Sequence, residues 1–142
     1  MHSHVIEKLQ PVDGAIIRRS ILIVEDDPSI AEVLSIRLDQ QGYDSHRAET
    51  GAEAMILARR HQPHLVLLDL RLPDVDGFTL CQQLDDDPQT CDIPKIVLSG
   101  MERPDIIRAT RSAGCKFFVR KPYDPNALLI LIEQAISETD QW

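Results

Sequence analysis

Leu65-Val66-Leu67-Leu68-Asp69-Leu70-Arg71-Leu72-Pro73-Asp74-Val75-Asp76-Gly77 runs four apolar residues straight into a carboxylate. A short run that is apolar on both faces, rather than alternating, reads as a central strand of a parallel sheet. Pro73 and Gly77 force a loop before any helix can begin. Asp69 is thereby placed at the carboxyl end of a central strand, where open α/β sheets carry their ligand crevice. Alone, it reads equally well as an Asp that ends a strand and starts a turn.

The flanking chain supplies the rest of the sheet. Upstream, Ile21 to Val24 is a β-branched run ending in Glu25-Asp26-Asp27. Asp27 and Pro28 suit the N-cap and first turn of a helix carrying Ile30, Val33, Leu34 and Leu38 at helical spacing, with Gly42 at its C-terminal cap. Tyr43 to Arg47 is a more polar strand, fit for a sheet edge. Thr50 caps a helix over Ala52 to His61, which Pro63 stops. Downstream, a helix from about Phe78 to Leu84 leads into Asp85-Asp86-Asp87-Pro88. A strand over Ile93 to Leu98 closes on Ser99-Gly100, and Pro104 opens a short helix through Ser112. Lys116 to Arg120 is the last strand, ending in Lys121-Pro122, and a helix beginning at Asp124 or Asn126 runs to Glu138. Five strands alternating with five helices through short connections specify βα units around a parallel sheet. Residues 1–19 read as an N-terminal extension, partly flexible, in which Val5, Ile6 and Leu9 can form one helical turn; residues 20–138 form the domain and residues 139–142 a tail.

Composition narrows the function classes. The chain has 142 residues, 43% hydrophobic and 27% charged, the balance of a single globular domain. Its 23 acidic and 15 basic residues give a net charge of −8, which disfavours direct nucleic-acid binding by this domain. Cys81, Cys91 and Cys115 lack Cys-x-x-Cys spacing, fitting neither a disulfide framework nor a zinc site, and suggest a reducing cytoplasm. No apolar run approaches the roughly 18 residues of a membrane span, so no membrane association is expected. His2 and His4 read as an unspecific terminal pair.

The strand ends carry the chemistry. Glu25 and Asp26 end the first strand, Asp69 the third, Ser99 the fourth and Lys121 the fifth, and parallel strands bring all carboxyl ends to one edge. Carboxylates crowded at about 4 Å repel by several kcal/mol at intermediate dielectric, so a divalent cation is called for. Oxygen-only ligands open to water match Mg²⁺, or Mn²⁺, better than zinc, and Mg²⁺ commonly shares its shell with phosphate. Lys121 and Ser99 add a cation and a hydroxyl donor for phosphoryl oxygens. The simplest chemistry is attack of the Asp69 carboxylate on phosphorus, giving an aspartyl phosphate. Singly, each has a plain structural role: Glu25 and Asp27 as capping residues, Ser99 as a turn former, Lys121 as a solvated charge.

These marks together resemble the receiver domain of two-component response regulators, over roughly Ser20 to Ser137. They stand as Ile21-Leu22-Ile23-Val24-Glu25-Asp26-Asp27, the Leu65 to Gly77 stretch, Val97-Leu98-Ser99-Gly100 and Val119-Arg120-Lys121-Pro122. The resemblance implies a flavodoxin-like α/β fold, a five-stranded parallel sheet of order 2-1-3-4-5 between layers of helices. It implies phosphorylation of Asp69 by a histidine kinase or histidine phosphotransfer protein, with Glu25, Asp26, Asp69 and the Arg71 backbone carbonyl on Mg²⁺. Ser99 would be the switch hydroxyl, Phe118 the switch aromatic and Lys121 the phosphate-contacting cation, its bond to Pro122 commonly cis. Asp27 falls one place beyond the acidic pair and reads as a cap. Such a domain is a signalling phospho-acceptor that catalyses only its own phosphorylation and dephosphorylation.

In the switch this implies, the phosphoryl group adds charge and acceptors, Ser99 moves to donate, and Phe118 rotates into the vacated space. The face of the fourth helix, fifth strand and fifth helix then changes. On the final helix, Leu128, Leu131, Ile132, Ala135 and Ile136 make an inward face, leaving Leu129 and Ile130 for a homodimer or a downstream protein; burial under Val5, Ile6 and Leu9 is the alternative. Arg71 and Met101 depart from the family pattern and are expected to tune the lifetime of the phosphorylated form. Two rival readings remain. A phosphatase of the haloacid dehalogenase type would need an Asp two residues after the nucleophile, where Arg71 stands. A degenerate receiver serving as a docking module would not need the full set of site residues. The chain reads as a stand-alone regulator or as the receiver part of a longer one.

Overall fold

Strands with every side chain buried must lie between two layers, and the chain supplies both. The computed structural model describes residues 9–12 and 15–140. An antiparallel pair, β1 (Leu9–Val12) and β2 (Ala15–Arg18), precedes the alternating unit. That unit is β3 (Ser20–Val24), α1 (Pro28–Gln40), β4 (Asp44–Ala48), α2 (Gly51–His61), β5 (Leu65–Asp69), α3 (Gly77–Asp86), β6 (Lys95–Ser99), α4 (Ile106–Ser112), β7 (Phe117–Arg120) and α5 (Pro125–Asp140). The sheet order is β4-β3-β5-β6-β7, all parallel, which is 2-1-3-4-5 counted from β3. The flavodoxin-like architecture expected from the sequence is the one observed.

Alternation on each strand divides the apolar residues between two cores. Ile21, Ile23, Leu65, Leu67, Ile96 and Leu98 face α1 and α5, meeting Leu34, Leu38, Leu128 and Ile132. Leu22, Val24, Val66, Leu68 and Val97 face the other way, onto Ala54, Ala58, Leu80, Leu84 and Ile106. The polar strand β4 closes one edge.

The caps are chemical. Asp27 accepts from Ser29 N at 2.9 Å, as expected, and Thr50 accepts from Glu53 N at 3.0 Å. Gly42, at φ 90°, takes the left-handed turn after α1. Gly77 is needed for a different reason. A Cβ there would lie 2.5 Å from the Leu70 Cα, so only glycine lets α3 start against the loop.

Some readings change. Leu9–Val12 and Ala15–Arg18 form strands, where a turn of helix was expected at Val5, Ile6 and Leu9; Val5 and Ile6, with His2 and His4, lie outside the described residues. On α1 the inward face is Ala31, Leu34 and Leu38, while Ile30 and Val33 are exposed. The final helix continues past Glu138, and Leu131 is half-buried rather than fully inward. The run Asp85-Asp86-Asp87 does not stand alone at the end of α3. Asp87 takes the Arg59 guanidinium at 2.6 Å and the Gln89 N–H at 2.8 Å, and Asp85 pairs with buried Lys95 at 3.6 Å.

Candidate functional site

At the carboxyl edge, β3, β5, β6 and β7 end side by side because their registers pair Val24 with Leu68, Asp69 with Leu98, and Ser99 with Arg120. Each strand delivers its polar terminal group to that edge. Lys121 Nζ lies 2.7 Å from Asp69 Oδ2 and 3.5 Å from Glu25 Oε1. One ammonium thus bridges the ends of the first, third and last strands of the unit. The other Asp69 oxygen accepts from Arg71 N at 2.9 Å, which fixes the carboxylate plane.

Glu25 is buried, its second oxygen accepts a 3.2 Å bond from Asp27 N, and its carboxyl group also hydrogen-bonds the Asp26 side chain. Burial pushes its pKa up, the Asp27 N–H and Lys121 oppose that, and the Asp69 charge adds to it. Burial acts on Lys121 in the opposite sense, yet the hydrogen bond and charge of Asp69, with Glu25, leave its pKa above the ordinary lysine value. Asp26 is exposed beside this pair. Among the described residues, no three His, Cys, Asp or Glu side chains are grouped as cation ligands.

Ser99 is buried, its hydroxyl accepting from Met101 N at 3.0 Å and its carbonyl from Lys121 N at 2.9 Å. The Lys121–Pro122 bond is cis. Phe118 packs on the α2–α3–α4 side and Phe117 on the α1–α5 side, as strand alternation requires. The Phe118 ring is half-buried, with the Arg120 guanidinium 5.8 Å from its centroid. Arg71 is exposed, and Met101 is half-buried next to Ser99.

Asp74 takes a role that sequence reading passed over. Its carboxylate accepts from Gly51 N at 2.8 Å and Ala52 N at 3.0 Å, tying the loop after Asp69 to the first turn of α2. These two N–H groups hold its pKa below the usual carboxylate range. A surface pocket of about 620 Å³, lined by Ser35, Tyr43 and His46 among others, lies by α1 and the amino-terminal half of β4, away from the strand carboxyl ends.

The family model for the response regulator receiver domain matches residues 21–133. The chain is 40% identical over 122 residues to the DNA-binding dual master transcriptional regulator RpaA of Synechocystis, covering 85% of this chain and 50% of that protein. It therefore spans about half the length of that relative. It is 33% identical over 104 residues to the polar-differentiation response regulator DivK of Brucella ovis, covering 73% of this chain and 85% of DivK. Among solved structures, a CheY-like response regulator receiver domain protein from Methanospirillum hungatei superposes with a TM-score of 0.81 at 27% identity, covering 87% and 97% of the two chains. With the sheet order, the charged carboxyl edge and this match in hand, the chain belongs to the response regulator receiver family, whose members are phosphorylation-controlled signalling modules.

Proposed function

We propose that Asp69 accepts a phosphoryl group from a histidine kinase or histidine phosphotransfer protein. The observation that carries this is the 2.7 Å contact between Lys121 Nζ and Asp69 Oδ2 at the carboxyl edge. It places a cation beside the one carboxylate that ends the central strand. An Asp69 oxygen attacks phosphorus as the donor's P–N bond breaks and the imidazole leaves. Lys121 then turns from the carboxylate to a phosphoryl oxygen, where its charge offsets the charge that develops there. The Ser99 hydroxyl, now an acceptor for Met101 N, has its own proton free to donate to the same group. Its movement opens space for Phe118, and the face of α4, β7 and α5 is read by a partner or a second copy.

The acidic residues fit a divalent cation. All donors are oxygens, and buried Glu25 stands 3.5 Å from Lys121 and hydrogen-bonds Asp26 beside it. Glu25, Asp26, Asp69 and the Arg71 carbonyl would hold Mg²⁺ or Mn²⁺, which when bound supplies positive charge to the transferring phosphoryl oxygens. Arg71 and Met101, flanking Asp69 and Ser99, tune how long the product persists.

The test is intact mass spectrometry after incubation with acetyl phosphate and Mg²⁺. Wild type is expected to gain one phosphoryl group, and Asp69→Asn none. An adduct that persists in Asp69→Asn overturns the assignment.

A further inference from the structure

Away from the carboxyl edge, two thiols far apart in sequence meet inside the domain. Cys81 on α3 and Cys115, just before β7, are 34 residues apart, and their Sγ atoms stand 2.7 Å from each other. Both are free thiols and both are buried. A disulfide needs about 2.05 Å, so only a small approach separates the pair from a covalent bond. Cys115 is 1% exposed, so its sulfur lies just beneath the surface rather than on it. Together with Arg111, Gly114 and Lys116 it lines an open surface pocket of about 480 Å³. Of the charges around the pair, Lys95, its side chain only 4% exposed, favours a thiolate at Cys115, and Asp85, which pairs with Lys95 at 3.6 Å, opposes it. The hydrogen bond shared with Cys81 holds Cys115 below the ordinary thiol range, burial opposes this and Lys95 reinforces it, while Cys81 is pushed up. Thiolate character and access are what make a cysteine a target of oxidation.

We propose that Cys115 and Cys81 form a peroxide-sensitive dithiol, with Cys115 the attacking and Cys81 the resolving thiol. The Cys115 thiolate attacks one oxygen of hydrogen peroxide, the O–O bond breaks, and Cys115 becomes a sulfenic acid while the other oxygen leaves as water after protonation. The Cys81 sulfur then attacks the Cys115 sulfur, the S–O bond breaks, and a second water leaves with the Cys81 proton. Two thiols lose two electrons and one peroxide is reduced to two waters. A dithiol reductant reverses the bond by exchange. The cross-link joins α3, which follows the Asp69 loop, to the segment just before β7, the strand that leads into Lys121. The proposal is independent of the phospho-acceptor reading and is tested without a phosphoryl donor.

The full chain carrying Cys91→Ser, which removes the exposed third thiol, is treated with stoichiometric hydrogen peroxide. The expected result is loss of two hydrogens from the intact mass, both thiols protected from alkylation after unfolding, and peptides of Cys81 and Cys115 joined until a dithiol is added. Adding Cys81→Ala should leave Cys115 as a sulfenic acid trapped by dimedone. Should that variant not fold, the peptide map of the Cys91→Ser chain still decides. Two alkylatable thiols after oxidation, or oxygen added to Cys115 with no cross-link, overturns the proposal.

Discussion

Lys121 touches two carboxylates of unlike standing. Asp69 holds it at 2.7 Å, whereas Glu25 is buried, holds it at 3.5 Å, and has its ionisation opposed by burial. A carboxyl group whose folded pKa is raised contributes stability at pH below its unfolded value, about 4.3, and that contribution is lost as pH rises through the folded value. Glu25→Gln is therefore expected to raise the urea midpoint at pH 7 and to equal wild type below about pH 4, while weakening Mg²⁺-dependent phosphorylation. Asp74 has the opposite sign. Its folded pKa is depressed, so its contribution is complete above about 3.9 and lost as pH falls further. Asp74→Ala should lower the urea midpoint at neutral pH and flatten the acid side of the stability curve. Glu25, Asp69, Ser99 and Lys121 were legible in the sequence because each ends an apolar run, and parallel strands align their ends. Asp74 was not, because its partners at Gly51 and Ala52 come from a helix N-terminus that only the folded loop brings within reach.

At the level of elements, periodicity located every helix of the alternating unit but did not always choose the buried face. On α1 two stripes overlap, Ile30 with Val33 and Ala31 with Leu34 and Leu38. Alanine weighs little in a hydrophobic pattern, yet the small residue is what lets the helix approach the sheet. On α5 the pattern was stronger. Leu128, Ile132, Ala135 and Ile136 are buried, and Ile130 is 69% exposed. Ile132→Ala is expected to cost about 2–5 kcal/mol by leaving a cavity, and Ile130→Ala less than about 0.5 kcal/mol, both measured by urea unfolding. A large loss at Ile130 would mean that this face is covered.

For the molecule as a whole, the parallel sheet followed from alternating strands and helices, whereas its 2-1-3-4-5 order came with the family resemblance. The antiparallel pair β1–β2 did not follow. Pro11 weakens a strand pattern, although an edge strand accommodates it. That pair matters for where the folding unit begins. Arg18, its last residue, donates from Nε to Gly42 O at 2.8 Å, and from Nη2 to Tyr43 O at 2.9 Å and Asp39 O at 3.0 Å. It also pairs with the carboxylates of Asp39 at 3.2 Å and Asp44 at 3.5 Å. One guanidinium thus staples the turn between α1 and β4 from outside the 21–133 span that defines the family. A fragment trimmed to begin at Ser20 is expected to melt lower than one that begins at Ile17, by thermal unfolding monitored at 222 nm, and to be nicked first between Asp39 and Asp44 under limited proteolysis. The practical boundary of this domain lies at its arginine, ahead of its first sheet strand.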